Sequence, residues 1–256
     1  MKRDIEHTLL HGDCIEKMAG IPDGTVDMIL TDPPYGTTAC KWDSIIPLEP
    51  MWEQLKRVIK PNGAIVMTAS QPFTTMLIAS NIKMFKYCWV WEKTQATGFF
   101  NAKIRPMVAH EDVCVFYAKQ PVFNPQMTYG HKPTNNYTKR AEVQNKTEVY
   151  GKVNIDISGG GATSRFPRSV QVFASDKQKN KLNGTIHPTQ KPVALMEHLI
   201  KTYTNEGETV LDFTMGSGTT GVACESLNRT FVGIELDDVY FGIAKQRIEN
   251  ATNNLL

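Results

Sequence analysis

Glu208-Thr209-Val210-Leu211-Asp212, then Gly216-Ser217-Gly218-Thr219-Thr220-Gly221, then Thr230-Phe231-Val232-Gly233-Ile234-Glu235 is the stretch that decides the fold. The first run is β-branched and apolar and predicts a short strand. The glycines stand as G-x-G-x-x-G, and Val222, Ala223, Cys224 and Leu227 predict a helix after them. A second β-branched run follows and stops on an acid. Strand, glycine turn, helix, strand and acid at about 20 residues spacing are together the nucleotide-binding βαβ unit. A dinucleotide would place its pyrophosphate on the glycine turn and its ribose on Glu235. S-adenosylmethionine needs the same ribose carboxylate and the same close backbone approach but carries no phosphate, so the glycines do not choose between the two. A second acid, Asp212, before the glycines suits a cationic sulfonium and amine better than two phosphates.

Outward from this unit, the same alternation runs through most of the chain. Strand-like runs are 8–11, 26–30, 64–68, 87–91, 113–117, 209–212 and 230–234. Met51, Leu55, Val58 and Ile59 share one helical face, as do Val239, Ile243 and Ile248, and Pro61-Asn62-Gly63 predicts a turn that ends a helix. Alternating strands and helices predict an α/β fold, a mostly parallel sheet of seven strands with helices on both faces. With 256 residues, 41% of them apolar, the chain can bury a core of that size. No apolar run reaches the roughly 18 residues of a membrane span, and the N-terminal residues 1–7 lack a signal-peptide core, so a cytoplasmic location and no membrane partner are expected. The five cysteines, Cys14, Cys40, Cys88, Cys114 and Cys224, contain no C-x-x-C pair. Neither a disulfide frame nor a metal site is indicated, and no thiol stands out as a nucleophile.

The second strand pattern, 26–30, leads into Thr31-Asp32-Pro33-Pro34-Tyr35-Gly36. Tandem prolines fix φ and remove N–H donors, leaving carbonyls that can accept bonds from a ligand. Asp32 adds a carboxylate and Tyr35 an aromatic face. Such a stretch is either a proline-rich turn or a clamp for a planar substrate that carries an amino group.

Residues 119–191 break the alternation. They hold 12 Lys and Arg against 4 Asp and Glu, a net +8, while the remainder has 16 against 22, a net −6. Ser158-Gly159-Gly160-Gly161-Ala162-Thr163 reads as a loop. Lys132, Lys139, Arg140, Lys146, Lys152, Arg165 and Arg168 are interleaved with Tyr129, Tyr137, Tyr150 and Phe166. By itself this is a solvated basic loop or a surface that grips phosphates and packs on bases.

Taken in order, these stretches resemble the DNA amino-methyltransferases that form N6-methyladenine or N4-methylcytosine. Leu10-His11-Gly12-Asp13-Cys14 is similar to their N-terminal cofactor motif, and Asp32-Pro33-Pro34-Tyr35 to their catalytic motif. His187-Pro188-Thr189-Gln190-Lys191-Pro192 is similar to the segment entering the cofactor-side helix, Asp212 to Gly221 to the glycine loop, and Gly233-Ile234-Glu235-Leu236 to the ribose-binding strand end. The catalytic motif comes first, which is the order of the permuted β subgroup. One departure is Thr214, where the family commonly has an aromatic; Phe213 is displaced by one.

The resemblance implies a Rossmann-like S-adenosylmethionine-dependent methyltransferase fold in circularly permuted order. Residues 1–118 would form the catalytic half, 119–186 a basic target-recognition insert and 187–256 the cofactor half. It implies that Asp32, Pro33, Pro34 and Tyr35 are catalytic. Asp13, Cys14, Asp32, Lys191, Asp212, Phe213, Gly216, Ser217, Gly218, Thr219, Glu235 and Leu236 would bind cofactor, with Asp13 on the adenine amine, Glu235 on the ribose and Lys191 on the methionine carboxylate. Lys132, Lys139, Arg140, Arg165 and Arg168 would contact double-stranded DNA, and a homodimer is common among relatives. Adenine is expected as the target from Asp rather than Ser ahead of Pro-Pro, with N4-cytosine the alternative. Two rivals lie outside this class. A nicotinamide dehydrogenase accounts for the glycines but not for Asp32-Pro33-Pro34-Tyr35, and a non-catalytic DNA-binding module leaves that tetrapeptide without a use.

Overall fold

The computed structural model of the chain describes residues 7–38, 40, 43–133, 146–147, 151–152, 160–175, 179–180, 184–185 and 190–254. The elements along the chain are β1 (Thr8–His11), α1 (Cys14–Ala19), β2 (Val26–Thr31), α2 (Leu48–Val58), β3 (Ile59–Ala69), α3 (Phe73–Ser80), β4 (Phe85–Thr97) and β5 (Val108–Phe116). Short pairs β6 (Lys146–Thr147) and β7 (Gly151–Lys152) follow, then β8 (Val170–Phe173), and the short β9 (Lys179–Asn180) and β10 (Gly184–Thr185). The last five are α4 (Val193–Tyr203), β11 (Thr209–Asp212), α5 (Thr219–Ser226), β12 (Thr230–Glu235) and α6 (Asp238–Asn254).

The main sheet has eight strands in the order β1-β12-β11-β2-β3-β5-β4-β8. All neighbours pair in parallel except at β5, which is antiparallel to both β3 and β4. The eighth strand, β8, had no counterpart among the sequence expectations. Its exposure alternates along an edge, so its apolar signal is weak. Pro61-Asn62-Gly63 is also not a turn but part of β3. The extra residues are absorbed by a register shift between Val26 and Met28 on the partner strand, the behaviour of a bulge. A Cβ on Gly63 would stand 2.7 Å from the Asp27 carbonyl, which is why the bulge carries glycine.

Side chains of period 2 feed two cores. Ile29, Ile65, Met67, Cys114, Leu211 and Ile234 face α1, α2 and α3 through Met18, Met51, Trp52, Leu55, Phe73 and Leu77. Met28, Leu30, Ala64, Val66, Val113 and Val210 face α4, α5 and α6 through Leu195, Leu199, Ala223, Ala244 and Ile248. Burial on both faces of a parallel sheet explains why these strands read as continuous apolar runs. In α6 the buried face runs through Ala244 and Ile248 rather than through Val239, which is 68% exposed. The reason is close approach: a Cβ on Gly218 would lie 2.9 Å from that of Ala244, and one on Gly221 would meet Ile248.

Residues 1–124 and 168–256 make one compact unit and Pro125–Pro167 a second. The second is narrower than the expected insert 119–186, because β8 joins the main sheet. Within the second unit, Thr128 and Arg165 exchange backbone hydrogen bonds at 3.0 and 2.8 Å.

Candidate active site

The strand order places β11 beside β2, and their chain connections leave in opposite directions. β11 runs through α5 to β12 on one side, β2 through α2 to β3 on the other. In an open α/β sheet the crevice at the carboxyl ends of two such strands is where ligands bind. The two decisive motifs sit there, one after each strand. Thr31 Oγ1 donates to Asp212 Oδ1 at 2.7 Å, and Thr214 Oγ1 donates to the Asp32 carbonyl at 3.2 Å.

Asp32 is held on both oxygens. The hydroxyls of Thr68 and Tyr35 donate to Oδ1, the latter at 2.7 Å, and Lys191 Nζ lies 2.7 Å from Oδ2. Lys191 also reaches Glu111 at 3.1 Å, and Glu111 pairs with Lys93 at 2.6 Å. Two ammonium groups thus balance two carboxylates, the condition under which buried charges are tolerated. Burial pushes the Lys191 ammonium down, but Asp32 and Glu111 outweigh it and hold its pKa above the ordinary value. The Tyr35 phenol is pushed well up by burial, then by Asp32 and Glu111, so it stays a donor. Its ring stacks on Phe73, centroids 5.4 Å apart and planes 22° from parallel, and Lys191 Nζ stands 5.5 Å from the ring centroid.

The loop after Asp32-Pro33-Pro34-Tyr35 is fixed by Asp43, a residue that sequence reasoning passed over. Asp43 Oδ1 accepts the backbone N–H of Tyr35 and Gly36 at 2.7 and 2.9 Å, and Oδ2 those of Thr37 and Thr38 at 2.9 and 2.6 Å. Burial raises its carboxyl, but bonds from Thr38, Gly36 and Thr37 outweigh that and leave the pKa below the ordinary value. A depressed folded pKa means stability present above the unfolded value of about 3.9 and lost as pH falls through the folded one. Asp43→Ala should therefore lower stability by about 1–3 kcal/mol at pH 7, since four part-buried backbone N–H groups lose a charged acceptor. The deficit should shrink as pH drops below about 4, which urea melts at pH 7 and pH 3 compare. An equal deficit at both would count against the clamp.

On the cofactor side, Glu235 ends β12 with Oε2 accepting Gly216 N–H and Oε1 accepting Asp237 N–H, each at 2.8 Å. Burial raises its pKa; the N–H bonds act against it. Each oxygen retains capacity for a further donor, as a ribose diol requires. Leu236 beside it is 68% exposed. Gly218 has φ +78°, a left-handed conformation, and opens α5. Ser217 and Thr219 are buried; Arg247 donates to the Ser217 hydroxyl at 2.8 Å, and Ser217 Oγ lies 3.3 Å from Gln190 Oε1. Gln190 Nε2 is buried with no partner among the described residues. An orphaned buried donor beside a glycine loop is the kind of group a polar ligand satisfies. Asp13 is exposed and caps α1, its Oδ1 accepting Ile15 and Glu16 N–H at 2.9 and 3.1 Å.

Several expected cofactor contacts are placed elsewhere. Lys191 lies between Asp32 and Glu111, because a buried ammonium needs carboxylates and these two supply them. Asp212 is 3% exposed and bonded within the protein, to Thr31, to Thr220 at 2.6 Å and to Thr214 N–H at 3.2 Å. Burial pushes its pKa up to about 6 in spite of those bonds. It ties β11, β2 and α5 together. Phe213, 1% exposed, and Cys14 belong to the core on the α1–α3 face, and burial raises the Cys14 thiol to about 11. Among the expected DNA contacts, Lys132 and Arg168 are exposed. Arg165 instead donates to the carbonyls of Ala162, Ser164 and Lys132 at 2.8, 2.8 and 2.6 Å, and so staples its own unit. Lys139, Arg140 and His187 lie outside the described residues. Among the described residues no helix is long and apolar enough to cross a membrane.

A family profile described as DNA methylase matches residues 26–246, spanning both motifs and the segment between them. The chain belongs to this DNA methylase family. It is 29% identical to the Type II methyltransferase M.HpaI of Haemophilus parainfluenzae, over 97% of this chain and 76% of that protein. It is 28% identical to the Type II methyltransferase M2.DpnII of Streptococcus pneumoniae, over 96% of this chain and 91% of that protein. A solved M1.HpyAVI–SAM complex superposes with a TM-score of 0.62 at 26% identity, covering 95% of this chain and 99% of that one.

Proposed function

We propose that this chain transfers a methyl group from S-adenosylmethionine to the N6 amine of adenine in duplex DNA. The observation that carries the proposal is Asp32, an oriented and charge-balanced carboxylate at the end of β2, with the glycine loop on the adjacent strand end. Glu235, the orphaned amide of Gln190 and the exposed Leu236 fit a ligand with a ribose diol, polar acceptors and an apolar ring face. Asp13, Gly216 and Gly218 complete that side. When bound, S-adenosylmethionine supplies an electrophilic methyl group.

The amino nitrogen of adenine is a weak nucleophile because its lone pair is delocalised into the ring. Asp32 and the Pro33 carbonyl would each accept one of its N–H groups and draw the lone pair out of conjugation. Lys191 holds Asp32 through Oδ2, while Thr68 and Tyr35 orient it through Oδ1. The Tyr35 ring, backed by Phe73, offers a stacking face for a base that has left the duplex. Lys132, Arg168, Lys139 and Arg140 are the proposed phosphate contacts of the basic insert.

Sequencing that detects modified bases in DNA from cells producing this protein should find N6-methyladenine at one recurrent site. The same clamp would serve the N4 amine of cytosine. Methylation on cytosine alone would overturn the choice of base, and no modification at all would overturn the activity.

A further inference from the structure

The β4–β5 hairpin carries a feature that the amine clamp and glycine loop leave unused. β4 is parallel to β2 and β11, so the hairpin emerges from the same sheet edge as Asp32. The ladder passes the site at Trp91 opposite Glu111 and continues to Thr97 opposite Val108. Three residues at about 3.4 Å each carry Val108 about 10 Å outward from Glu111. The tip beyond is a built turn. Gly98 is left-handed at φ +88°, and Asn101, Ala102, Ile104 and Arg105 donate backbone bonds of 2.9 to 3.0 Å within it.

This turn displays Phe99 at 74% exposure, Phe100 at 100% and Ile104 at 83%. Exposed apolar groups held on an ordered turn mark an interaction site. The charges nearby choose the partner. No Asp or Glu lies between Lys93 and His110, while Lys103 and Arg105 do, and both are exposed. Aromatic rings at a cationic tip, beside a site that takes a base, match a polyanion with stacked bases.

We propose that this tip enters duplex DNA at the target base, with Phe99 and Phe100 filling the gap in the stack and Lys103 and Arg105 on the flanking phosphates. The inference rests on the DNA methylase function above and adds the element that opens the duplex. An apolar wedge offsets the unstacking that extrusion of a base requires. Its contribution therefore disappears when the target is already unpaired.

The test compares wild type with the Phe99→Ala, Phe100→Ala double variant on two duplexes built on the site found by modified-base sequencing. One is fully matched; in the other the target base faces a mismatch. Both residues are exposed, so thermal melting should be unchanged. Methylation of the matched duplex should fall about 10- to 100-fold, the worth of one or two base–aromatic stacks. On the mismatched duplex the two proteins should agree within about threefold. A 2-aminopurine at the target should brighten on binding wild type and less on binding the variant. Equal loss on both duplexes, as a self-association patch would give, overturns the wedge, and so does loss on neither. Wild type inactive on both overturns the methylase function and the wedge with it.

Discussion

Asp32→Asn is expected to lower methyl transfer about a thousandfold, the scale found when a preorganised group that stabilises a transition state is removed. The amide keeps an oxygen that can accept from Thr68 and Tyr35, and Glu111 still pairs with Lys191, so the fold is preserved. Its nitrogen, however, is a donor facing Lys191, and it turns a donor toward the amine that the carboxylate would have accepted. Filter assays with labelled S-adenosylmethionine and duplex DNA measure the rate, and calorimetry measures cofactor affinity separately. Retention of cofactor affinity with loss of rate identifies Asp32 as catalytic. A variant within tenfold of wild type would remove it from the mechanism.

The second large effect is expected at Lys191. Replacing it by methionine leaves Asp32 and Glu111 facing each other across a site with only Lys93 to balance them. Breaking a buried pair by removing one partner costs about 3–5 kcal/mol. In wild type the sign follows from a raised folded pKa: the contribution is full below the unfolded value near 10.5 and is lost as pH rises through the folded one. The deficit of Lys191→Met should therefore be constant from pH 6 to 9. The rate of methyl transfer should fall as well, because Asp32 loses the ammonium that holds its Oδ2. Lys191→Arg should restore stability better than rate, since a planar fork cannot reproduce a point charge beneath Tyr35. A methionine variant that is destabilised but keeps the wild-type rate would show that Lys191 serves the fold and not the carboxylate.

The two ends of the site differ in how far they could be seen in the amino acids. The glycine loop, Glu235 and Asp32 were legible because tight turns, tandem prolines and terminal acids restrict residue type directly. Glu111 and Lys93 were not, since each stands beside another charge, Asp112 and Glu92, and meets the site only through the β4–β5 register. Such a pair of charges within a strand is the signal that could have found them. Asp43 binds four N–H groups, and backbone donors leave no trace in residue type. For Lys191 and Asp212 the residue type was visible but its direction was not. Which neighbour satisfies a buried charge depends on partners as far as 159 and 181 residues away along the chain, Asp32 for Lys191 and Thr31 for Asp212. The sheet was legible from its alternating strands, apart from β8, whose half-exposed edge pattern resembles a loop.

The pairing of β2 with β11, and of β1 with β12, bears on how the protein is made. The first and second strands wait for partners that begin at Thr209 and Thr230. No shorter N-terminal stretch contains both halves of the crevice. Synthesis from the N-terminus therefore makes Asp32 long before Thr209–Asp212, the strand that forms the other side of the crevice. Contacts of such long sequence separation also make folding slow for a chain of this size. Thr31, Asp212 and Thr214 close that long loop, so the two sides of the crevice are joined only when the sheet centre assembles.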